Sequence, residues 1–250
     1  MLVNGRPEMV RRAVKAFEAR TYADARLMLY DTSAEHGIIP KHWGSPRVRS
    51  ARGAPPEINA ILLDPVVATV GELRNAAIEY VRSEWRPPII VHWDSDDWSH
   101  PNRIAEQVAL LQTSGADCVG YREMLFWRKR APVGDSGEAL LYTNPEPDFC
   151  LGTSLCYWRS VWERKPFEAL PVAPGGIGED WKFQQGLKRT AVSSLVSPSS
   201  GSPVEPRMIA SIHGGNTSDY SIIDNPKQRS FVRMPLWDEH CRKVMDWGVR

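Results

Sequence analysis

The chain has 250 residues, 42% hydrophobic and 24% charged, which suits one large domain or two small ones with a real core. With that much core, the four cysteines need not form a disulfide framework, and reduced thiols are predicted. The 31 basic and 30 acidic residues almost cancel, so net charge does not decide on a polyanionic partner. No apolar run is long enough for a membrane span or a signal peptide. The sequence predicts a soluble, cytoplasmic protein, with peripheral membrane contact left open.

Hydrophobic periodicity predicts alternating helices and strands in the first half of the chain. The predicted elements are a helix over 8–20, strands over 26–30 and 58–63, a helix over 70–81, a strand over 88–93, a helix from Pro101, and strands over 117–121 and 124–127. This alternation favours an α/β layer architecture with a mainly parallel sheet.

The second half is less regular. We predict strands over 154–158 and 208–213, helices over 160–165, 179–188 and 236–247, a Pro/Gly turn over 171–178 and a Ser-rich loop over 193–202. The acids that open the helix over 179–188 suit the positive end of a helix dipole.

Carboxylates crowd the end of the strand over 88–93, where Asp94, Asp96 and Asp97 lie within four positions. Carboxylates so close repel one another unless a cation or a hydrogen-bonding ligand lies among them. An EF-hand calcium loop is excluded, because the sixth position is not glycine and the twelfth is not glutamate.

Other polar segments follow predicted strands: 4–6, 31–33 and 213–216. In an open α/β sheet, ligands bind beyond the carboxyl ends of the strands, so these segments can converge. Taken singly, each is better explained as a turn.

Several segments, taken in order, carry a family pattern. They are "NGRPEMVRRAV", "LMLYDTS", "GELRNAAIEY", "WDSDDWSHPNRIAEQVALL", "GEDWKF" and "HGGNTS". The chain resembles the family-2 glycosyltransferases of the GT-A fold, which are nucleotide-diphospho-sugar transferases. The D-x-D and G-E-D segments are the most specific parts of the resemblance.

The resemblance implies a single GT-A domain over 1–250, with a mixed, mostly parallel sheet and helices on both faces. Residues 1–121 would form the nucleotide-sugar-binding half, and 122–250 the acceptor-binding half with a C-terminal helix. The implied activity is metal-dependent, inverting transfer of a hexose, with glucose as the default, from a UDP-sugar to an acceptor hydroxyl.

The resemblance also implies a metal site, with Mn²⁺ or Mg²⁺ neutralising charge on the leaving diphosphate. Asp96 is the expected direct ligand, and Asp94 would contact the metal or the ribose. His213 would be a third ligand or a diphosphate contact, although a histidine at a strand end is often bonded only to backbone. Asp97 is expected to face away and to cap the helix that begins near Pro101.

The remaining site residues follow the same resemblance. The donor-binding set is Val3, Asn4, Gly5, Arg6, Asp31, Ser33, Arg74, Asn75, Asp94 and Ser95. Asp180 is the expected general base and Glu179 would orient the acceptor, whereas the plain alternative is that both acids only favour a helix N-terminus.

Two features leave questions open. Only Met1, Leu2 and Val3 precede Asn4, so the first strand is unusually short or residues lie upstream.

The favoured acceptor is a saccharide or lipid-linked glycan. An acid-free segment over 36–56 and the triplet Arg128-Lys129-Arg130 keep a modified base in phage-type DNA as the alternative. A catalytically idle nucleotide-sugar-binding module is the second alternative.

Overall fold

The computed structural model describes residues 1–32, 58–62, 68–129, 137–171, 178–196, 203–214 and 230–245. The first part of the chain forms a parallel three-stranded sheet in the order β1-β2-β3. Its elements are β1 (Leu2–Val3), α1 (Pro7–Glu18), β2 (Leu27–Asp31), β3 (Ile58–Leu62) and α2 (Val70–Glu84). Thr69 and Glu72 form a capping box, which fixes the start of α2.

The rest of the described chain forms a larger mixed sheet with helices packed against it. Its elements are β4 (Ile89–Val91), β5 (Trp98–Ser99), α3 (Arg103–Ser114), β6 (Cys118–Lys129), β7 (Gly137–Thr143), β8 (Cys156–Trp158), α4 (Arg159–Arg164), α5 (Glu179–Gln184), β9 (Arg189–Ser193), β12 (Met208–Ile212), β13 (Phe231–Arg233) and α6 (Asp238–Met245), with a separate ribbon of β10 (Leu195–Val196) and β11 (Glu205–Pro206).

The central strand of the larger sheet is β6. It pairs antiparallel with β7 and β8, and parallel with β9 and β12. The sequence predicted two strands over this stretch because Arg122 and Glu123 interrupt the apolar pattern. One continuous strand forms instead: Glu123 pairs with Thr143 of β7 and accepts hydrogen bonds from Ser193 Oγ at 2.6 Å and Thr143 Oγ1 at 3.0 Å. A register shift in the β6–β9 pairing lies at the same point.

The predicted mixed α/β architecture is confirmed, but the pairing differs from expectation in the second half. Pairing is parallel throughout the first sheet. The larger sheet has antiparallel pairing in β4–β8, β5–β12, β6–β7, β6–β8 and β7–β13. Strands β5, β7, β9, β10, β11 and β13 were not predicted, because each is short or mixes apolar residues with polar ones. Of these, β10 lies within the predicted Ser-rich loop over 193–202.

The core forms where the periodicity predicted it. Helix α1 buries Val10, Val14 and Phe17, and Phe17 meets the Trp93 ring edge to face at 5.7 Å. In the second half the rings of Phe167 and Phe183 stack at 4.2 Å. The four cysteines are buried free thiols, as predicted. Among the described residues, no helix is long and apolar enough to cross a membrane.

Strand β1 contains two residues of the given sequence. β1 pairs with β2 only at Leu2 and Val3, and the terminal amine of Met1 donates to the carbonyl of Met28 at 2.7 Å. Burial lowers the pKa of this amine to about 5. Beside it, a cleft of about 400 Å³ runs between β2 and β4 and reaches Arg74 and Asp94.

Candidate active site

The aspartate-rich loop over 92–97 follows β4 and is held by Arg103, which is 0% exposed. Its guanidinium donates to the carbonyls of His92 at 2.8 Å and Thr153 at 3.1 Å, and to Ser99 Oγ at 2.8 Å. Arg12 of α1 donates to the carbonyl of Asp96. Neither arginine was assigned a role from the sequence, although Arg103 lies inside the most specific matched segment.

Asp96 is paired with a cation and a histidine. Its Oδ2 lies 3.1 Å from Arg6 Nη1 and 2.9 Å from His213 Nε2. Burial opposes ionisation of this carboxyl, but the His213 hydrogen bond and the Arg6 charge outweigh it and lower the pKa of Asp96. Asp96 is therefore a carboxylate with a partner for its negative charge.

The neighbouring Asp97 faces the other way. Its Oδ2 accepts from Thr153 Oγ1 at 2.6 Å and its Oδ1 accepts from the amide of Ser211 at 3.0 Å. Burial, together with the charges of Asp96 and Asp94, raises its pKa well above the usual range. The predicted capping role was wrong: α3 begins at Arg103 after Asn102, and no side chain caps it. Asp97 instead joins the loop to β12.

Asp94 and Ser95 precede these two carboxylates in the loop and differ in exposure. Ser95 is buried, and Asp94 is half-buried and lines the cleft with Met1 and Arg74. Asp94 does not complete a metal site with Asp96 and His213, because the described residues contain no group of three or more acidic, histidine or cysteine side chains placed for one. Asp96 and His213 fit Mn²⁺ or Mg²⁺ as a two-residue protein contribution, since such sites commonly take their remaining ligands from water and substrate phosphates.

The first predicted nucleotide segments surround the end of β1. Val3 is buried, Asn4 is exposed, and Gly5 and Arg6 both have left-handed backbone, with φ of 74° and 62°. Asp31 is fully buried at the end of β2, in register with Val3. Ser33, Gly215 and Asn216 lie outside the described residues.

Helix α2 contributes Arg74 and Asn75, which have different surroundings. Arg74 Nε lies 3.2 Å from Glu179 Oε1, and its guanidinium also contacts the His92 ring. The Asn75 amide donates to the carbonyl of Phe167 at 2.8 Å and accepts from the indole of Trp162 at 2.8 Å. The structure therefore gives Asn75 a structural role in fixing α2 to the segment after α4.

The predicted base lies at the start of α5. Asp180 accepts from the amide of Trp181 at 2.9 Å, and its carboxylate fits between Gly152 and Gly178, where a Cβ on either glycine would collide with it. Burial raises the pKa of Asp180 and of Glu179, and in each case the Arg74 charge partly offsets the effect. A raised carboxyl pKa suits a group that accepts a proton near neutral pH.

Part of the predicted basic surface has a structural explanation. Arg128 Nε donates to Oε1 of the buried Glu138 at 2.6 Å, across the β6–β7 ladder. Arg130 and the segment over 36–56 lie outside the described residues. Arg128 thus stabilises the sheet.

Comparison with known proteins identifies the fold. No protein-family model and no curated protein sequence matches the chain. Among solved structures, it is similar to Staphylococcus aureus TarS residues 1–349 (13% identity, 84% of this chain, 59% of that chain, TM-score 0.54). It is also similar to the same protein in complex with UDP-GlcNAc (12%, 86%, 59%, 0.55). A third is the mannosyltransferase PcManGT from Pyrobaculum calidifontis in complex with GDP-Man and Mn²⁺ (13%, 80%, 56%, 0.52).

These similarities concern the fold. The chain spans 56 to 59% of the length of those three structures, and identities near 13% carry no residue-by-residue assignment. The chain has the mixed α/β, GT-A-like fold of these glycosyltransferases, as the sequence motifs predicted.

Proposed function

We propose that the protein is a metal-dependent, inverting glycosyltransferase that moves a hexose from a UDP-sugar to an acceptor hydroxyl. The observation that carries the proposal is the joining of two carboxylate clusters. Arg103 bonds both the loop that carries Asp96 and the Thr153 carbonyl, next to the Gly152 that encloses Asp180. Arg103 thereby fixes both the loop of Asp96, which would bind a cation, and the segment beside Asp180, which would accept a proton.

The cluster around Asp96 suits the donor. When bound, Mn²⁺ or Mg²⁺ would neutralise the charge that develops on the leaving diphosphate. Asp96 and His213 would hold that ion, while Arg6, Arg74 and the 3–6 loop would contact the nucleotide. Support comes from the fold neighbours, of which TarS was solved with UDP-GlcNAc and the mannosyltransferase with GDP-Man and Mn²⁺.

The cluster around Asp180 suits the acceptor. Asp180 would take the proton of the acceptor hydroxyl as its oxygen bonds to the anomeric carbon and the bond from that carbon to the diphosphate oxygen breaks. Glu179, held by Arg74 at 3.2 Å, would orient the acceptor. One base and no covalent sugar intermediate imply inversion at the anomeric carbon.

The favoured acceptor is a saccharide or a lipid-linked glycan. The pairing of Arg128 with Glu138 takes one cation away from the basic triplet that favoured nucleic acid. A binding module without activity is disfavoured, because Asp96, His213 and Asp180 are all present and held by specific contacts.

Incubation of candidate acceptors with a panel of UDP-sugars and GDP-mannose, followed by mass spectrometry, tests the proposal. We expect one acceptor class to gain one hexose mass from a UDP-sugar, with Mn²⁺ present and not with EDTA. Binding of UDP without transfer to any acceptor would favour the idle module, and transfer only to a modified DNA would favour the phage-type alternative. Asp180→Asn is the matched control for background transfer.

A further inference from the structure

The guanidinium of Arg6 lies at the point where Asp96 and His213 meet. Arg6 Nη1 is 3.1 Å from Asp96 Oδ2 and 2.9 Å from His213 Nε2, and those two atoms are 2.9 Å apart. The three side chains are 29%, 15% and 17% exposed, in that order. The Arg6 guanidinium therefore contacts both protein groups that fit a divalent cation, Asp96 and His213.

The backbone around Arg6 is unusual for a residue with a side chain. Arg6 has φ 62° and ψ 59°, and Pro7 begins α1 immediately after it. A non-glycine residue in this region persists only where its surroundings hold it there. The preceding Gly5 also has left-handed backbone, with φ 74°, and a Cβ placed on it would meet nothing within 4 Å.

We infer that Arg6 is a resident cation that competes with the divalent metal ion for Asp96 and His213, and that it leaves this pair when the ion binds. Two cations cannot share one pair of ligands, because like charges repel strongly at such distances. The released guanidinium would find its next partner in a nucleoside diphosphate, whose oxygens accept two parallel hydrogen bonds from arginine.

The inference extends the proposed function and rests on it for the metal site at Asp96 and His213 and for the nucleotide as the next partner of Arg6. Arg6 is then a positioning residue, and its effect can be measured as a change in metal affinity. Metal affinity without nucleotide is reduced by the fraction of molecules in which Arg6 still occupies the pair. The nucleotide would relieve that reduction by taking Arg6 away, so metal and nucleotide should each tighten the binding of the other.

The first test is titration of Mn²⁺ alone, followed by the electron paramagnetic resonance signal of the free ion. If Arg6 occupies the pair nine-tenths of the time, Arg6→Gln should bind Mn²⁺ about tenfold more tightly than the wild type. Arg11→Gln is the matched control, because Arg11 lies on α1, the helix that follows Arg6, and pairs with the exposed Glu8, and its substitution removes the same charge. Its Mn²⁺ affinity should equal that of the wild type.

Equal or weaker Mn²⁺ binding by Arg6→Gln, including no binding by either protein, would overturn the inference. This titration contains no nucleotide, so tighter Mn²⁺ binding by Arg6→Gln in a protein that never binds UDP would support the inference and reject the proposed donor.

A second measurement uses the wild-type protein and does not depend on the folding of a variant. Addition of Mn²⁺ should increase hydrogen–deuterium exchange in the peptide that contains Gly5, Arg6 and the first turn of α1. Exchange in α3, which lies outside the rearranged turn, should not change. Unchanged or slower exchange in the peptide with Arg6 on saturation with Mn²⁺ would also overturn the inference.

Discussion

Asp96 and Asp180 are both half-buried aspartates, but their surroundings affect ionisation in opposite ways. Burial disfavours the charged form of each. At Asp96 the hydrogen bond from His213 and the charge of Arg6 outweigh burial, and the pKa falls. At Asp180 the charge of Arg74 and the backbone hydrogen bonds do not outweigh burial, and the pKa rises. Partners, rather than residue type or burial, therefore set the opposite pKa shifts of the two aspartates, which the proposed function assigns to a cation and to a proton.

The largest expected effect is on transfer by Asp180→Asn. The amide keeps the shape and the hydrogen bond from Trp181 but cannot take a proton, and loss of a general base typically lowers the rate about a hundred- to ten-thousandfold. Turnover measured at saturating donor should show this loss, while calorimetry should show unchanged UDP binding. Near-normal turnover with intact UDP binding would transfer the role to Glu179, for which Glu179→Gln is the paired variant.

Arg103→Met should cause the next largest effect, because Arg103 supports both regions. The substitution leaves the buried carbonyl of His92 and the partly buried carbonyl of Thr153 without their donor. We expect the free energy of unfolding to fall by about 3 kcal/mol, at roughly 1–3 kcal/mol for each buried group left unpaired. Urea denaturation measures this directly.

The control for that experiment is Arg82→Met, an exposed arginine on α2 whose partner is Glu79. An exposed ion pair is worth at most about 1 kcal/mol, so the urea midpoint should hardly move. Similar midpoints for the two variants would mean that Arg103 does not hold the loop together.

Asp96→Asn should weaken UDP binding in the presence of Mn²⁺ by about ten- to a hundredfold, the equivalent of one charged interaction. Binding in EDTA should change far less, because Asp96 would act through the ion. The neighbouring Asp97→Asn is the matched control: its amide can accept from Ser211 and donate to Thr153, and a raised pKa already favours the uncharged carboxyl. Equal losses in the two variants, measured by calorimetry, would contradict the assignment of Asp96.

The smallest expected effect is a displacement of the pH profile. The base must be deprotonated, so activity is lost as pH falls through the pKa of Asp180, which lies above the usual aspartate range. Arg74 lowers that pKa, so Arg74→Gln should move the acid limb of kcat to higher pH. If the acid limb of kcat in Arg74→Gln stays in place or moves to lower pH, a group other than Asp180 controls that limb.

The sequence predicted the features that short, contiguous residue patterns determine, namely individual elements and the site loop. The stripe of Val10, Val14 and Phe17 located α1, and the apolar run before Asp94 located the site loop. Local patterns did not reveal that Arg6 meets Asp96 across 90 positions, or that Asp97 bonds to Ser211 across 114. These contacts depend on how β1, β4 and β12 come together.

Two further points could not be predicted because a polar residue has more than one use. Asn75 matched a donor-binding motif, but its amide holds the backbone of Phe167 and the indole of Trp162. Arg103 matched a motif without an assigned role, and complete burial makes it the central support of the loop. Burial and partner identity decide such cases, and neither can be read from spacing alone.

The most direct test of single-displacement transfer is proton NMR of donor cleavage with water as the acceptor. The wild-type protein, Mn²⁺ and an α-linked UDP-hexose should first release the β-hexose, seen by its anomeric coupling before mutarotation, and Asp180→Asn should release almost none. First appearance of the α-hexose, or release by Asp180→Asn at the wild-type rate, would contradict the account.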